Sequence, residues 1–174
     1  MKAETAIGLI SGLKLNGENP QFWLDLGAGE GTFTKALAHL LPPRGEILAI
    51  DQSSSSLRKI PAHIASTQIS THTGDFTLIP EGLSQVDGIM MANAIHYIRD
   101  KEAFLSKWME ASMAKPTFLI IEYDTHRSNS WVPYPIRPQA LEDLFARLGY
   151  QQFEKLGEIP SLYHNKIYAA QITP

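Results

Sequence analysis

The sequence predicts a single α/β domain built on a mostly parallel, seven-stranded sheet with helices on both faces. Three observations carry that expectation. An apolar strand runs directly into a glycine-rich turn that opens a helix; strands and helices then alternate along the chain; and the alternation closes on a helix followed by two strands. A chain of 174 residues is long enough to bury a core on each side of one sheet. The domain is expected to span 1–174, with 1–20 a short amino-terminal helical arm in which Ala6, Ile7, Ile10 and Leu13 recur at helical spacing, interrupted by Gly8, Ser11 and Gly12.

Taken in order, Phe22, Trp23, Leu24 and Leu26 suit a buried parallel strand, and Gly27, Gly29 and Gly31 form the turn after it. Phe33, Ala36, Leu37, Leu40 and Leu41 then repeat as one helical face until Pro42 stops it. A second strand over 45–50 ends at Asp51, and Ser53–Ser56 can cap a short helix through Leu57 and Ile60. A third strand is expected over 67–73, followed by Gly74-Asp75-Phe76, and a fourth over 86–92. Asp100 can cap a helix whose apolar face is Phe104, Leu105, Trp108 and Met109, and 117–121 reads as a fifth strand. Beyond a proline-rich loop, Pro138 starts a helix carrying Leu141, Leu144, Phe145 and Leu148, with Gly149 as its stop. Strands over 150–156 and 166–172, joined by 157–165, end the chain.

Composition removes several function classes. With no cysteine the chain has no disulfide, thiolate metal site or cysteine-ligated iron–sulfur cluster. A formal net charge of -3 leaves no surplus of cations to neutralise phosphates, which argues against a dedicated nucleic-acid binder. No stretch is apolar for the length of a membrane span and no signal peptide opens the sequence, so a cytoplasmic protein with no membrane association is expected. No spacing of histidines and carboxylates suggests a metal: His39, His63 and His72 read as surface or edge residues, and His164 as part of the last hairpin loop.

The spacing of the glycine turn narrows its chemistry. The dinucleotide pattern G-x-G-x-x-G/A fits Gly27 and Gly29 but meets Thr32 at the third small position, and no Gly-Lys-Ser/Thr follows to make a phosphate loop. What remains, Asp25-Leu-Gly-Ala-Gly-Glu-Gly31, resembles the first motif of class I S-adenosylmethionine-dependent methyltransferases. A second stretch, 86–100, resembles the small-molecule branch of that family in its order of Asp, apolar strand, Asn-Ala, apolar residue, His, aromatic and Asp. It lacks the Asn-Pro-Pro-Tyr pattern of amino-methyltransferases acting on adenine or glutamine, because no prolines follow Asn93. The resemblance implies a Rossmann-like methyltransferase fold whose last strand inserts antiparallel beside the fifth. It also implies S-adenosylmethionine as cofactor and methyl transfer to a small organic acceptor.

Carried onto this sequence, the resemblance assigns Asp25 to the methionine amino group, with Gly27, Ala28 and Gly29 presenting backbone to methionine and ribose. Asp51 lies at the end of the second strand, where a carboxylate can accept from two ribose hydroxyls; nicotinamide proteins use the same placement, so it speaks for a ribose more than for one cofactor. Gln52 follows it in the expected cofactor set, Asp75 matches the position that accepts from the adenine amino group, Phe76 can pack on the ring, and Asn93 is expected at the methionine pocket.

Methyl transfer needs an aligned acceptor more than it needs a base. His96 is the candidate base for a hydroxyl or protonated amine, and a packing role at the loop-to-helix junction is an equal alternative. Tyr97, together with Glu122, Tyr123, Asp124 and His126 at the end of the fifth strand, and Trp131 and Tyr134 in the proline-rich loop, form the expected substrate set. The short amino-terminal arm leaves the acceptor side open, which a large acceptor, a carrier-bound acceptor or closure by another subunit of a homo-oligomer would each explain. Two other readings stand beside methyl transfer: a cofactor-binding protein of this fold without turnover, and an NAD-dependent oxidoreductase, which Thr32 and the terminal strand pair disfavour.

Overall fold

The computed structural model describes residues 1–174 apart from 16, 84, 113 and 162–165, so His164 lies outside the described residues. The elements run α1 (Ala3–Ile10), β1 (Phe22–Leu26), α2 (Thr32–Ala38), β2 (Glu46–Asp51), α3 (Ser54–Leu57), β3 (His63–Ile64) and β4 (Thr67–Thr73). They continue with β5 (Gly88–Ala92), a single 3-10 turn (Ile95–Tyr97), α4 (Lys101–Ala111), β6 (Thr117–Tyr123), α5 (Pro138–Arg147), β7 (Gln152–Pro160) and β8 (Lys166–Thr173).

One sheet holds every strand in the order β3-β4-β2-β1-β5-β6-β8-β7. The five central strands are parallel, β8 enters antiparallel beside β6, and β7 pairs antiparallel with β8. This is the expected α/β architecture with its antiparallel insertion. It gains one element: the two-residue β3 turns back antiparallel onto β4 at the sheet edge, too short to show periodicity in the sequence. The hairpin also differs in extent, since β7 continues through Gly157 to Pro160 across a register irregularity between Lys155 and Gly157. A Cβ at Gly157 would stand 3.3 Å from the Leu9 carbonyl oxygen, so this glycine lets α1 lie directly against the strand.

Alternate residues of the central strands feed two cores. Leu24, Leu26, Ile89, Phe118 and Ile120 pack with Leu105, Trp108, Leu141 and Phe145 from α4 and α5. Trp23, Ile47, Ala49, Met90 and Leu119 pack with Leu9 and Ile10 of α1, Leu37 of α2 and Leu57 of α3. Both sheet faces are therefore covered, as the near-continuous apolar runs of β5 and β6 require. The helix starts follow their caps: Ser53 Oγ accepts from Ser56 N at α3, and an Asp100 carboxylate oxygen accepts from Ala103 N at α4.

Gly88 shows how tightly the layers meet. A Cβ there would fall 2.3 Å from the indole of Trp23, which is 1% exposed and lies across the start of β5. Gly88→Ala should lower the unfolding free energy by about 1–3 kcal/mol through overpacking, read as a shifted midpoint in urea denaturation; an unchanged midpoint would mean that Trp23 repacks freely.

Candidate active site and cofactor pocket

Strand order reverses at β1, which has β2 on one side and β5 on the other, so the loops leaving β1 and β5 diverge and open a crevice at their carboxyl ends. The β1 turn is tied to β2 by two backbone bonds, Gly27 N and Ala28 N both donating to the Ile50 carbonyl at 2.9 and 3.0 Å. Asp51 completes the tie, one carboxylate oxygen accepting from Gly29 N and the other from Ser53 N, each at 2.8 Å.

Two of the turn glycines serve packing, since a Cβ at Gly27 would sit 2.7 Å from Ala94 Cβ and one at Gly31 would sit 2.6 Å from Ile60. Gly29 is different. Its φ of 55° is left-handed, yet no heavy atom lies within 4 Å of where its Cβ would be, so its bare backbone faces open space.

That space is a cavity of about 230 Å³ bordered by Asp25, Gly27, Ala28, Gly29, Phe33, Ala92 and Asn93. Among the described residues lining it, Asp25 is the one buried charged group. Its register between Ala49 and Met90 sets it in mid-sheet, 1% exposed, where Oδ2 accepts from the Thr34 hydroxyl at 2.5 Å and Oδ1 has no partner. Burial pushes its carboxyl up to about 7, with the Thr34 hydrogen bond opposing that shift and the Asp51 charge adding to it. Thr34 was not among the expected site residues. A hydroxyl on the otherwise apolar α2 face of Leu37 and Ala38 was the available signal, since a buried hydroxyl needs a partner.

Asn93 has a left-handed φ of 52°, its N–H donates to the Ile121 carbonyl at 2.8 Å, and its Oδ1 is buried without a partner. It borders both the first cavity and a second one of about 510 Å³, lined by Asn93, His96, Tyr97, Tyr123, Asn129, Trp131 and Val132. Within it His96 is 2% exposed. Its Nδ1 lies 2.9 and 2.8 Å from the two oxygens of Glu122, and its Nε2 has no partner.

The expected substrate set is thereby divided. Tyr97, Tyr123 and Trp131 line the cavity. Glu122 does not: it is 0% exposed, spends its carboxylate on His96 and on Tyr123 N, and so cannot touch a ligand directly. Asp124 pairs instead with Arg137 at 2.8 Å, and His126 is exposed outside the lining. Tyr134 also stays outside the lining, and contributes backbone, its N–H donating to the His96 carbonyl at 3.0 Å and its carbonyl accepting from Lys101 Nζ at 2.7 Å. Lys101 donates as well to the Ile98 carbonyl at 2.7 Å, stapling the proline-rich loop to the His96 turn, and its burial lowers its pKa to about 8, a shift the Glu122 charge opposes. Lys101 and Asn129, whose side chain accepts from Trp131 N and Val132 N, are the other contributors that sequence reasoning passed over.

On the far side of the turn, Gln52 is exposed and Asp75 accepts from Thr77 N at 2.8 Å. Phe76 packs edge-on against Phe104 at 6.0 Å, with its ring edge 3.4 Å from where a Gly27 Cβ would be. None of these three borders either cavity. A further hollow of about 550 Å³ lies at the opposite, amino ends of β1 and β5 beside Lys14, Arg44 and Lys115. It contains none of the buried unpartnered side-chain atoms found among the described residues, which are Asp25 Oδ1, Asn93 Oδ1 and His96 Nε2. All three belong to residues that line the two crevice cavities.

Residues 24–114, from β1 to the end of α4, match the family model described as a methyltransferase domain. The chain belongs to this family. The match contains the glycine turn, Asp51, Asp75, Asn93 and His96, and stops before Glu122. No curated protein sequence matches the chain, whereas solved structures of the family's fold do. A DhpI–SAH complex is 18% identical with a TM-score of 0.67, over 98% of this chain and 85% of that one. Magnesium protoporphyrin IX methyltransferase from Synechocystis PCC 6803, with bound SAM, is 11% identical with a TM-score of 0.67, over 99% and 78%. The YcgJ protein of Bacillus subtilis is 11% identical with a TM-score of 0.69, over 98% of both chains. At such identities the likeness is one of fold.

Asp25 gives this family member a pH signature. Because its folded pKa is raised from 3.8 to about 7, the unfolded chain releases the proton first, and the protein loses stability as pH rises through that window. The full cost, about 4 kcal/mol from a shift of roughly three pKa units, applies above pH ~7 in the ligand-free protein. Asp25→Asn should flatten the pH dependence of urea denaturation between pH 4 and 7; parallel wild-type and mutant curves would mean that Asp25 is solvated.

Proposed function

We propose that the protein transfers a methyl group from S-adenosylmethionine to a small organic acceptor. The observation that carries this reading is the pair of adjoining cavities at the strand-order reversal. One holds a buried carboxylate with one oxygen unpartnered beside a bare glycine backbone, and the other is lined by a histidine with an unpartnered ring nitrogen. Family membership supports the chemistry, and the SAM and SAH named in the solved relatives support the cofactor.

The residues present fit the methionine half of such a cofactor. Asp25 Oδ1 lacks a donor and an amino group supplies one, while Gly29 leaves room for a chain to pass against backbone. The Asp51 oxygens each accept one N–H and retain lone pairs for ribose hydroxyls, and the family resemblance assigns Asp75 and Phe76 to the adenine. When bound, the cofactor supplies a methyl group already activated on a sulfonium. The protein's tasks are then to hold the acceptor in line, exclude water and receive a proton. Asn93, bordering both cavities, marks where donor and acceptor meet. His96 Nε2 is the proton acceptor for the bound substrate.

Calorimetry with S-adenosylmethionine, S-adenosylhomocysteine and NAD tests the reading, with binding of the first two and not of NAD expected. Gly29→Val should abolish that binding by filling the open space, and Asp51→Ala should weaken it about ten- to one-hundred-fold, the cost of deleting a charged acceptor. Wild-type affinity in both variants, or preference for NAD, overturns the assignment. Affinity should also fall as pH drops below about 7, where Asp25 takes up its proton.

A further inference from the structure

We propose that Glu122 is a positioning residue that holds His96 in the one tautomer able to take a proton, and that the acceptor is an uncharged aromatic hydroxyl compound. The proposal rests on methyl transfer at this site. Glu122 is completely buried, with both oxygens within 2.9 Å of His96 Nδ1 and one of them also accepting from Tyr123 N at 2.7 Å. A buried carboxylate needs donors around it, so the ring proton belongs on Nδ1. Nε2 is then left with a bare lone pair, buried in a residue that lines the larger cavity. A histidine serving only as packing would find a partner for that nitrogen, because a buried acceptor without one costs free energy.

The walls define what can lie against that lone pair. Tyr97, Tyr123 and Trp131 line the cavity, and the Tyr97 ring centroid is 4.3 Å from that of His96. Trp131 and Tyr97 remain 78% and 52% exposed at its rim, apolar area that a flat ring would cover. Among the described residues no Lys, Arg, Asp or Glu lines the cavity, and the neighbouring Lys101 ammonium donates to the Ile98 and Tyr134 carbonyls, so an anionic acceptor finds no counter-charge there. An aromatic wall can hold an ammonium ion, but the described lining residues offer no carboxylate to pair with one, Glu122 being engaged by His96 and Tyr123 N. A hydroxyl has one proton to lose. In the step proposed, the acceptor O–H bond breaks and its proton bonds to Nε2. The oxygen keeps the electron pair and bonds the methyl carbon as the methyl–sulfur bond breaks, the pair of that bond leaving with the neutral thioether, and the imidazolium formed is held by the Glu122 carboxylate until its proton passes to water.

Nitrophenols test this without turnover, since their phenolate forms absorb in the visible. Adding wild-type protein to 4-nitrophenol or 4-nitrocatechol, at a pH where the free compound is mostly protonated, should raise the phenolate band and quench Trp131 fluorescence. Glu122→Gln should weaken that phenolate signal at least tenfold and lower turnover of the same phenols about one-hundred- to ten-thousand-fold, with Glu122→Asp restoring part of both. Affinity for S-adenosylhomocysteine should stay within about twofold of wild type, which also reports that the variants are folded. Long-range 15N–1H spectra of the wild type should place the His96 proton on Nδ1, a measurement that needs no variant. The proposal is overturned if that proton sits on Nε2, if neither phenol binds, if benzylamine binds in their place, or if Glu122→Gln keeps the phenolate signal. In each of these cases retained S-adenosylhomocysteine binding leaves methyl transfer standing, whereas its loss in the wild type would overturn methyl transfer and this proposal together.

Discussion

Everything at the site depends on β1 lying between β2 and β5. The chain builds outward from β1 through β2 to β4 and then returns to build outward from β5 on the other side, so the backbone after Leu26 turns toward β2 while the backbone after Ala92 turns away over β6. Backbone hydrogen bonds cannot seal the gap between them. The turn is held open by Gly27 N and Ala28 N bonding to Ile50 and by Asp51 bonding to Gly29, so the ligand-facing backbone is shaped before any ligand arrives. Preformed backbone of this kind lowers the ordering cost of binding.

Two buried carboxylates meet the same physical problem in different ways. Glu122 has an imidazole and a backbone N–H against it, and its charge is compensated within the fold. Asp25 has only the Thr34 hydroxyl, a neutral donor to one of its two oxygens, and burial drives its pKa upward. One carboxylate orders a neighbouring side chain; the other carries an electrostatic cost that a cationic ligand group would relieve. Such half-satisfied buried groups are rare where structure alone is at stake.

The proline-rich loop is held at both backbone and side chains and brings Trp131 to the cavity. Tyr134 N and O are bound by His96 and Lys101, the Ile136 carbonyl accepts from the buried Tyr168 hydroxyl, and Arg137 pairs with Asp124. Asn129 turns the chain by accepting from Trp131 N and Val132 N, which presents Trp131 at the rim. A rim aromatic mounted on an ordered loop can cover a ligand with little further loss of backbone entropy.

Local patterns in the sequence were enough for the strand and helix order, the glycine turn and the acidic strand end at Asp51, because period, capping and left-handed backbone are properties of neighbouring residues. The antiparallel last strand came only through resemblance, and β3 was too short to leave a pattern. Side-chain roles at the ends of β5 and β6 were beyond sequence reasoning. Glu122 read as a ligand contact because it ends a strand at the right edge, yet pairing with Tyr168 of β8 on one side and coverage by the His96 turn place it inside. Thr34, Lys101 and Asn129 act through partners 9 residues away, 33 residues away and across a turn. Whether a carboxylate faces a ligand, a histidine or an arginine depends on which distant segments exclude water from it, and only the assembled sheet with its crossing loops decides that.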